Sequence, residues 1–320
     1  MNKIKLFATL AVALFASATL SAQDVASVTA KYNEAVQKVQ AKDYNAAITI
    51  LDETINMGLE TEGAEETVDL AQKLLPACYF QSGLGLVKAG KLDESLERFN
   101  KAAQMGELYG DTKNMRNANT MIARVYTMKG GSAFNSGDYA AAAEVFAKGF
   151  EADPNNTKLG LNLAKSYYEL GKFDEAVAVH KSIFAQTLPR YDADKAQAKT
   201  DMTYYFTKNI AEMQQAEEVD NAAILALVEK WVAADANDAT ANKMLVSQHL
   251  TAKNYDKVIE MAEAVAALQV DEADKSDVYY SLGMAHNAKE QKAEAIAALK
   301  KVTAGNAAAA AKAAVAELSK

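Results

Sequence analysis

One short pattern returns six times along this 320-residue chain, and its return limits the fold more than any other feature. Its form is Gly-x-aromatic/Leu-x-x-Ala/Ser, followed by apolar residues at helical spacing. It runs clearly in Gly90-Lys-Leu-Asp-Glu-Ser-Leu-Glu-Arg-Phe99, Gly137-Asp-Tyr-Ala-Ala-Ala-Ala-Glu-Val-Phe146 and Gly171-Lys-Phe-Asp-Glu-Ala-Val-Ala-Val-His180. Looser copies begin at Lys42, Lys253 and Glu290. The small position falls at Ala47, Ser95, Ala142, Ala176, Val258 and Ala295. Ala142 and Ala176 are 34 apart and Val258 and Ala295 are 37 apart, whereas the first two steps are 48 and 47. The gap of 82 between Ala176 and Val258 leaves room for one degenerate unit, with a helix near Asn221–Ala233. A period of this length means a supersecondary unit that cannot bury its apolar stripe alone and must stack on its neighbours.

The period of the apolar positions is that of helices. Only three prolines, Pro76, Pro154 and Pro189, interrupt a chain rich in alanine, lysine and glutamate, all favourable in helices. Each unit therefore reads as two antiparallel helices. A small residue at Gly83, Gly130, Ala164 or Gly283 lets the paired helix come close. Tyr44, Tyr139, Phe173 or Tyr255 plugs the gap, and Gly90, Gly137 and Gly171 make left-handed turns at little cost. These residues resemble the tetratricopeptide repeat. Ala142, Phe146 and Pro154 match its Ala, Phe and Pro, and Tyr279-Ser-Leu-Gly-Met-Ala-His286 matches its first half. The resemblance implies an all-α fold, a right-handed superhelical solenoid of helix-turn-helix repeats. About seven helix pairs would span residues 23–305, and the Ala-rich residues 306–320 would form a C-terminal capping helix, with Val315 and Leu318 facing the last repeat.

Residues 1–22 read as a secretory signal peptide: Lys3 and Lys5, then an apolar run from Leu6 to Leu20, then Ser21-Ala22 before polar Gln23-Asp24. The run is shorter than the roughly 20 residues that span a bilayer, although an uncleaved anchor is the competing reading. Leaders of this style resemble those of Gram-negative bacteria of the Bacteroidetes type. They point to the periplasm, with outer-membrane association or secretion left open. Removing residues 1–22 makes the formal charge of −8 two units more negative. That balance disfavours nucleic acid and anionic lipid, and no stable membrane insertion is expected after cleavage. The 50% hydrophobic content is too high for disorder. Cys78 is the sole cysteine, so no internal disulfide forms.

Chemistry of the catalytic kind is not expected. The three histidines, His180, His249 and His286, fall where the repeat takes a core aromatic, and no metal-ligand spacing occurs. Cys78 reads as a buried structural thiol. No catalytic residue, metal or cofactor is assigned. The expectation is a non-enzymatic scaffold or assembly factor in the cell envelope. The alternative is a regulatory or substrate-presenting subunit of an envelope enzyme acting on peptidoglycan or polysaccharide.

The resemblance places the inner, concave wall on the first helix of each unit. The candidate partner-binding residues there are Phe80, Gln81, Lys88, Arg124, Phe134, Lys158, Asn162, Lys165 and Tyr168. Four cations and a single acid, Glu169, fall on the wall of the second to fourth units, within an acidic chain. Such a groove suits a protein or peptide partner with acidic groups or a free C-terminus. Chance placement of solvated charges is the competing reading. The Lys/Asn clamp that some members use for terminal carboxylates is absent, because Thr127 and Gly131 occupy its sites. The convex side and a loop around Glu60–Asp69 are the other candidate faces, and the oligomeric state is not legible.

Overall fold

A computed structural model describes residues 22–320, and all regular structure among them is helical. Residues 1–21, which hold nearly all of the expected leader, lie outside the described residues. The chain divides into two compact units, residues up to 132 and residues 133–320.

In the first unit, α1 (Ala22–Gln40) pairs with α2 (Tyr44–Leu59), α3 (Glu65–Lys88) pairs with α4 (Leu92–Leu108), and α5 (Thr112–Asn135) follows, ending just past the boundary. Ala47, Leu51 and Ile55 of α2 pack with Val68, Ala71, Leu75 and Cys78 of α3. Phe99 and Ala102 of α4 pack with Ala118 and Val125 of α5. Helices α3 and α5 are each 24 residues long, and this is where the long repeat steps go. The loop expected around Glu60–Asp69 is therefore corrected. Only the turn before Ala64 is irregular, with Gly63 at φ 87°, and Glu65 and Glu66 form the first turn of α3. Acids in that turn are favoured by the helix dipole, so an acidic stretch extends the helix instead of interrupting it. Pro76 sits inside α3 without ending it, giving up one backbone hydrogen bond.

The second unit holds α6 (Tyr139–Ala152), α7 (Thr157–Glu169), α8 (Phe173–Phe184), α9 (Asp192–Gln214), α10 (Asn221–Ala234), α11 (Ala239–Thr251), α12 (Tyr255–Leu268), α13 (Glu272–Ala288), α14 (Lys292–Leu299) and α15 (Ala307–Leu318). The degenerate fifth pair is α9 and α10, held by Phe206 stacked on Trp231 at 5.3 Å. Helix α15 packs on α13 and α14. Ala311 is buried, and Val315 and Leu318 lie against the cluster around Leu299, Tyr279 and Tyr280.

The register agrees with the sequence pattern. Ala47, Ser95, Ala142, Ala176, Val258 and Ala295 are all fully buried. A methyl group on Gly83 would stand 2.7 Å from the Phe99 ring, and one on Gly283 would stand 2.6 Å from Leu299, so close helix approach requires both glycines. The turns inside the pairs are left-handed at Gly90, Gly137 and Gly171, and also at Lys42, Lys253 and Glu290, where a side chain is tolerated at some strain. Aspartates close several helix starts. Asp43 accepts from the Ala46 N–H at 3.2 Å and Asp138 from that of Ala141 at 3.0 Å, each such cap contributing about 1 kcal/mol. Ala142→Leu should overpack α6 and cost about 1–3 kcal/mol, read as a lower melting midpoint; an unchanged midpoint would place the register wrongly.

A feature not foreseen from the sequence ties successive pairs together. Side chains roughly one repeat apart bond to each other: Ser82 to Asn45 at 2.8 Å, Thr157 to Asp194 at 2.5 Å, and Lys165 to Asp201 at 3.3 Å. Lys129–Asp93, Lys243–Asp274 and Lys289–Asp256 repeat the arrangement. The exposed pairs among them are individually worth about 0–1 kcal/mol. Their contribution is to register between neighbours.

Candidate partner-binding surface

The nine candidate residues fall in both units. In the first, Phe80 is half-buried and tilted against Phe99, with ring centroids 5.7 Å apart, so much of it belongs to the core. Gln81 and Lys88 are exposed on α3, and Arg124 is exposed on α5. Gln81 and Lys88 come together in a cleft of about 440 Å³ between the C-terminal half of α3 and the turn that starts α2, also lined by Lys42, Tyr44, Asn45 and Gly85. A register count along first helices does not reach these turn residues. The left-handed turn at Lys42 is what brings them to α3, and the repeated Lys42-Asp-Tyr motif was the signal available.

In the second unit, Phe134 lies edge-on to Tyr139 at 5.0 Å and Lys158 is exposed. Asn162 is half-buried. Two candidates have surroundings different from those expected. Tyr168 is 4% exposed, stacked on Tyr205 at 4.8 Å and edge-on to Phe173 at 5.2 Å. It is a core residue and offers a partner little surface, because α9 covers the face that a shorter repeat array would leave open. Lys165 lies 3.3 Å from the Asp201 carboxylate, which is itself buried, so its charge is met within the fold. Glu169, the one acid on the wall, pairs with Lys208 at 3.6 Å. Lys88, Arg124 and Lys158 have no ion pair among the described residues.

Beneath Tyr168 lies His180, fully buried. The Tyr168 hydroxyl is 3.3 Å from His180 Nδ1. Burial pushes the phenol pKa up, so the hydroxyl stays neutral and shares a hydrogen bond with Nδ1. The other ring nitrogen, Nε2, has no partner. Burial, and after it the charge of Lys165, lowers the His180 pKa to about 4. A neutral, enclosed imidazole in this setting is a core aromatic with one polar bond.

A second cleft, about 470 Å³, runs along α4 over Tyr79 between Arg98 and Lys101. Asp52, whose carboxyl pKa is raised chiefly by burial, accepts from the Tyr79 hydroxyl beside Lys101, and Glu97 also lines the cleft. Its charges are thus balanced locally. Among the described residues no group of acids, histidines and cysteine is arranged to hold a metal ion, and no helix is long and apolar enough to cross a membrane. Cys78 is buried, and burial pushes its thiol pKa up to about 11. It should therefore resist an aromatic disulfide reagent at pH 8 in the native chain and react in guanidinium; rapid native labelling would contradict this packing.

Family models of the tetratricopeptide repeat match residues 133–199 and 276–304, so the chain carries tetratricopeptide repeats in those segments. No curated protein matches the chain at a significant level. Among solved structures it is similar to the MamA protein, at 23% identity over 56% of this chain and 89% of that one, TM-score 0.32. It is also similar to a tetratricopeptide repeat protein from Parabacteroides merdae, at 15% identity over 93% and 100%, TM-score 0.27. A third is the TPR2AB domain of yeast Sti1 in complex with pHSP90, at 13% identity over 77% and 99%, TM-score 0.31. Tetratricopeptide repeats generally serve as protein–protein interaction scaffolds.

Proposed function

We propose that this protein is a non-enzymatic scaffold that holds a peptide or protein partner in the cell envelope, and that the first-helix side of the first unit is its main contact face. The observation that carries this reading is the cleft that joins Gln81 and Lys88 to Lys42, Tyr44 and Asn45. It presents Lys42 and Lys88 with a single acid, Asp43, and two amides on a chain of net charge −8, an arrangement that steers and orients an acidic partner more than it adds affinity. The envelope assignment is supported by the leader pattern of residues 1–22, and its test is separate. N-terminal sequencing of the exported protein should find a start at or near Gln23, whereas retention of Met1 would favour an anchor. The scaffold role is tested by crosslinked affinity capture from the periplasmic fraction with wild-type and Lys88→Glu bait. A discrete protein captured by the first and depleted severalfold on the second supports it. An enzymatic turnover by the purified chain alone would overturn it.

A further inference from the structure

We infer that the end of the first unit built from the α2–α3 and α4–α5 turns is a second docking surface, which takes a basic, amphipathic segment of another protein. Exposed leucines are the first argument. Leu59 is the last residue of α2 and Leu108 the last of α4, and they are 70% and 65% exposed. The glycine near each fixes the helix rotation. A methyl group on Gly58 would stand 2.3 Å from Val68, and one on Gly106 would stand 2.9 Å from the Asp111 carbonyl. Both glycines therefore face inward, and the leucines beyond them face out. The two turns are neighbours, because Tyr109, directly after Leu108, packs against the core that α2 and α3 share. Leu70, in the second turn of α3, is exposed as well. A lone exposed leucine is ordinary, whereas several at one end of a unit mark a contact surface.

Charge set against the helix dipole is the second argument. Glu60 closes α2, and Glu107 lies in the last turn of α4. A helix C-terminus favours cations, yet neither last turn holds one. Residues 59–70 contain five acids and no cation. Asp69 pairs with Lys73 at 2.5 Å, and Glu65 accepts from the Gly63 N–H at 3.2 Å. Glu60, Glu62, Glu66 and Glu107 have no such partner among the described residues. The dipole of α3 accounts for Glu65 and Glu66 in its first turn. It does not account for acids at the ends of α2 and α4, where stability favours the opposite charge. Placed around the leucines, those acids steer a basic partner while the leucines supply the apolar anchor. The same charges repel anionic lipid and nucleic acid, which leaves a protein as the occupant.

Helix length is the third. Helix α3 has 24 residues against 13 in α7. Their register positions, Gly83 and Ala164, stand equally far from the helix ends at Lys88 and Glu169. The surplus of α3, about 16 Å, therefore lies wholly toward the α2–α3 turn and carries that turn outward. It also separates the two faces of the unit. Lys88 of the cleft and Glu65 of the acidic end lie about 35 Å apart along α3, so a basic segment held at one end leaves the other free. The inference thus goes beyond the cleft and does not depend on it.

The test titrates the full chain into three dye-labelled helical peptides, a Lys/Leu amphipathic peptide and its Glu/Leu and Lys/Ser counterparts, and follows anisotropy at two ionic strengths. The Lys/Leu peptide should bind about tenfold more tightly than either counterpart. Leu59→Ser combined with Leu108→Ser should weaken it about fivefold, with an unchanged or higher melting midpoint. Glu60→Lys combined with Glu107→Lys should weaken it as much and flatten the salt dependence. Glu217→Lys combined with Glu218→Lys makes the same charge change on the exposed α9–α10 turn and should leave binding nearly unchanged. Lys88→Glu, which disables the cleft, should leave it intact, so the two faces fail separately. Equal weakening by the reversals at Glu217 and Glu218, or equal binding of the Glu/Leu peptide, overturns the inference. So does a wild-type chain that binds none of the three peptides. A wild-type dimer in sedimentation that Leu59→Ser with Leu108→Ser dissolves also overturns it, because a second copy would then cover the leucines.

Discussion

Phe206→Ala should lower the stability of the second unit by about 3–5 kcal/mol. Phe206 is fully buried. Its ring stacks on Trp231 at 5.3 Å, meets Phe173 edge-on at 5.0 Å and meets Tyr168 at 6.0 Å. It therefore joins the fourth pair to the degenerate fifth, and truncation removes both the transfer free energy of a large ring and the stacking that fixes its neighbours. Trp231 is the only tryptophan and is itself fully buried, so its emission reports the loss directly. Urea unfolding followed at Trp231 should show a lower midpoint and the same slope. Val270→Ser, at a position 99% exposed, should move the midpoint little and serves as the control. A Phe206→Ala midpoint equal to wild type would mean that the fifth pair is not packed as described.

The second large effect is on acid stability. His180 ordinarily titrates near 6.5, and burial lowers its folded-state pKa to about 4. Above pH 6.5 the imidazole is neutral in folded and unfolded chains alike and has no influence on the balance. Between 6.5 and 4 the unfolded chain takes up a proton that the folded chain refuses, so stability falls with falling pH. Below 4 both forms are protonated and the loss levels off. The full loss is about 3 kcal/mol. His249, whose pKa is also lowered by burial, acts in the same direction. His180→Phe should remove most of this slope. It should also impose a smaller, pH-independent cost of about 1 kcal/mol for the Tyr168 hydroxyl left without its partner. The check is a set of urea curves at half-unit steps from pH 7.5 to 4. Parallel slopes for the two proteins would contradict the buried, neutral imidazole.

Much of this fold is legible in the sequence because the repeat is a packing rule. Alanine, serine or valine recurs at the helix crossing because the crossing has no room for more, and all six of those positions are fully buried. The glycine turns are legible for the same reason, since their backbone is left-handed. The site was less legible. Counting a register places residues on a helix face, and Gln81 and Lys88 are exposed as that count requires. It does not reveal what comes over them. Tyr168 has the register of a groove residue, but the Tyr205 ring of α9 closes over it, and α9 belongs to the unit with the poorest match to the pattern. Lys165 counts as a free cation until Asp201, 36 residues later, is seen beside it. Lys42 and Asn45 line the cleft from the α1–α2 turn and the start of α2, positions that a register count along first helices does not reach. The acidic stretch after Glu60 has the charge of a solvated loop, but acids also suit a helix start, and Glu65 and Glu66 open α3.

In the proposed function a partner lies on the first-helix side of the first unit, seated at the cleft. Amide hydrogen exchange of the full chain, alone and with the partner recovered by crosslinked capture, tests it most directly. Binding should slow exchange in peptides covering residues 80–88 and 42–46, with little change across α4. Protection confined to α4 along the Tyr79–Lys101 cleft, with residues 80–88 exchanging as before, would contradict it.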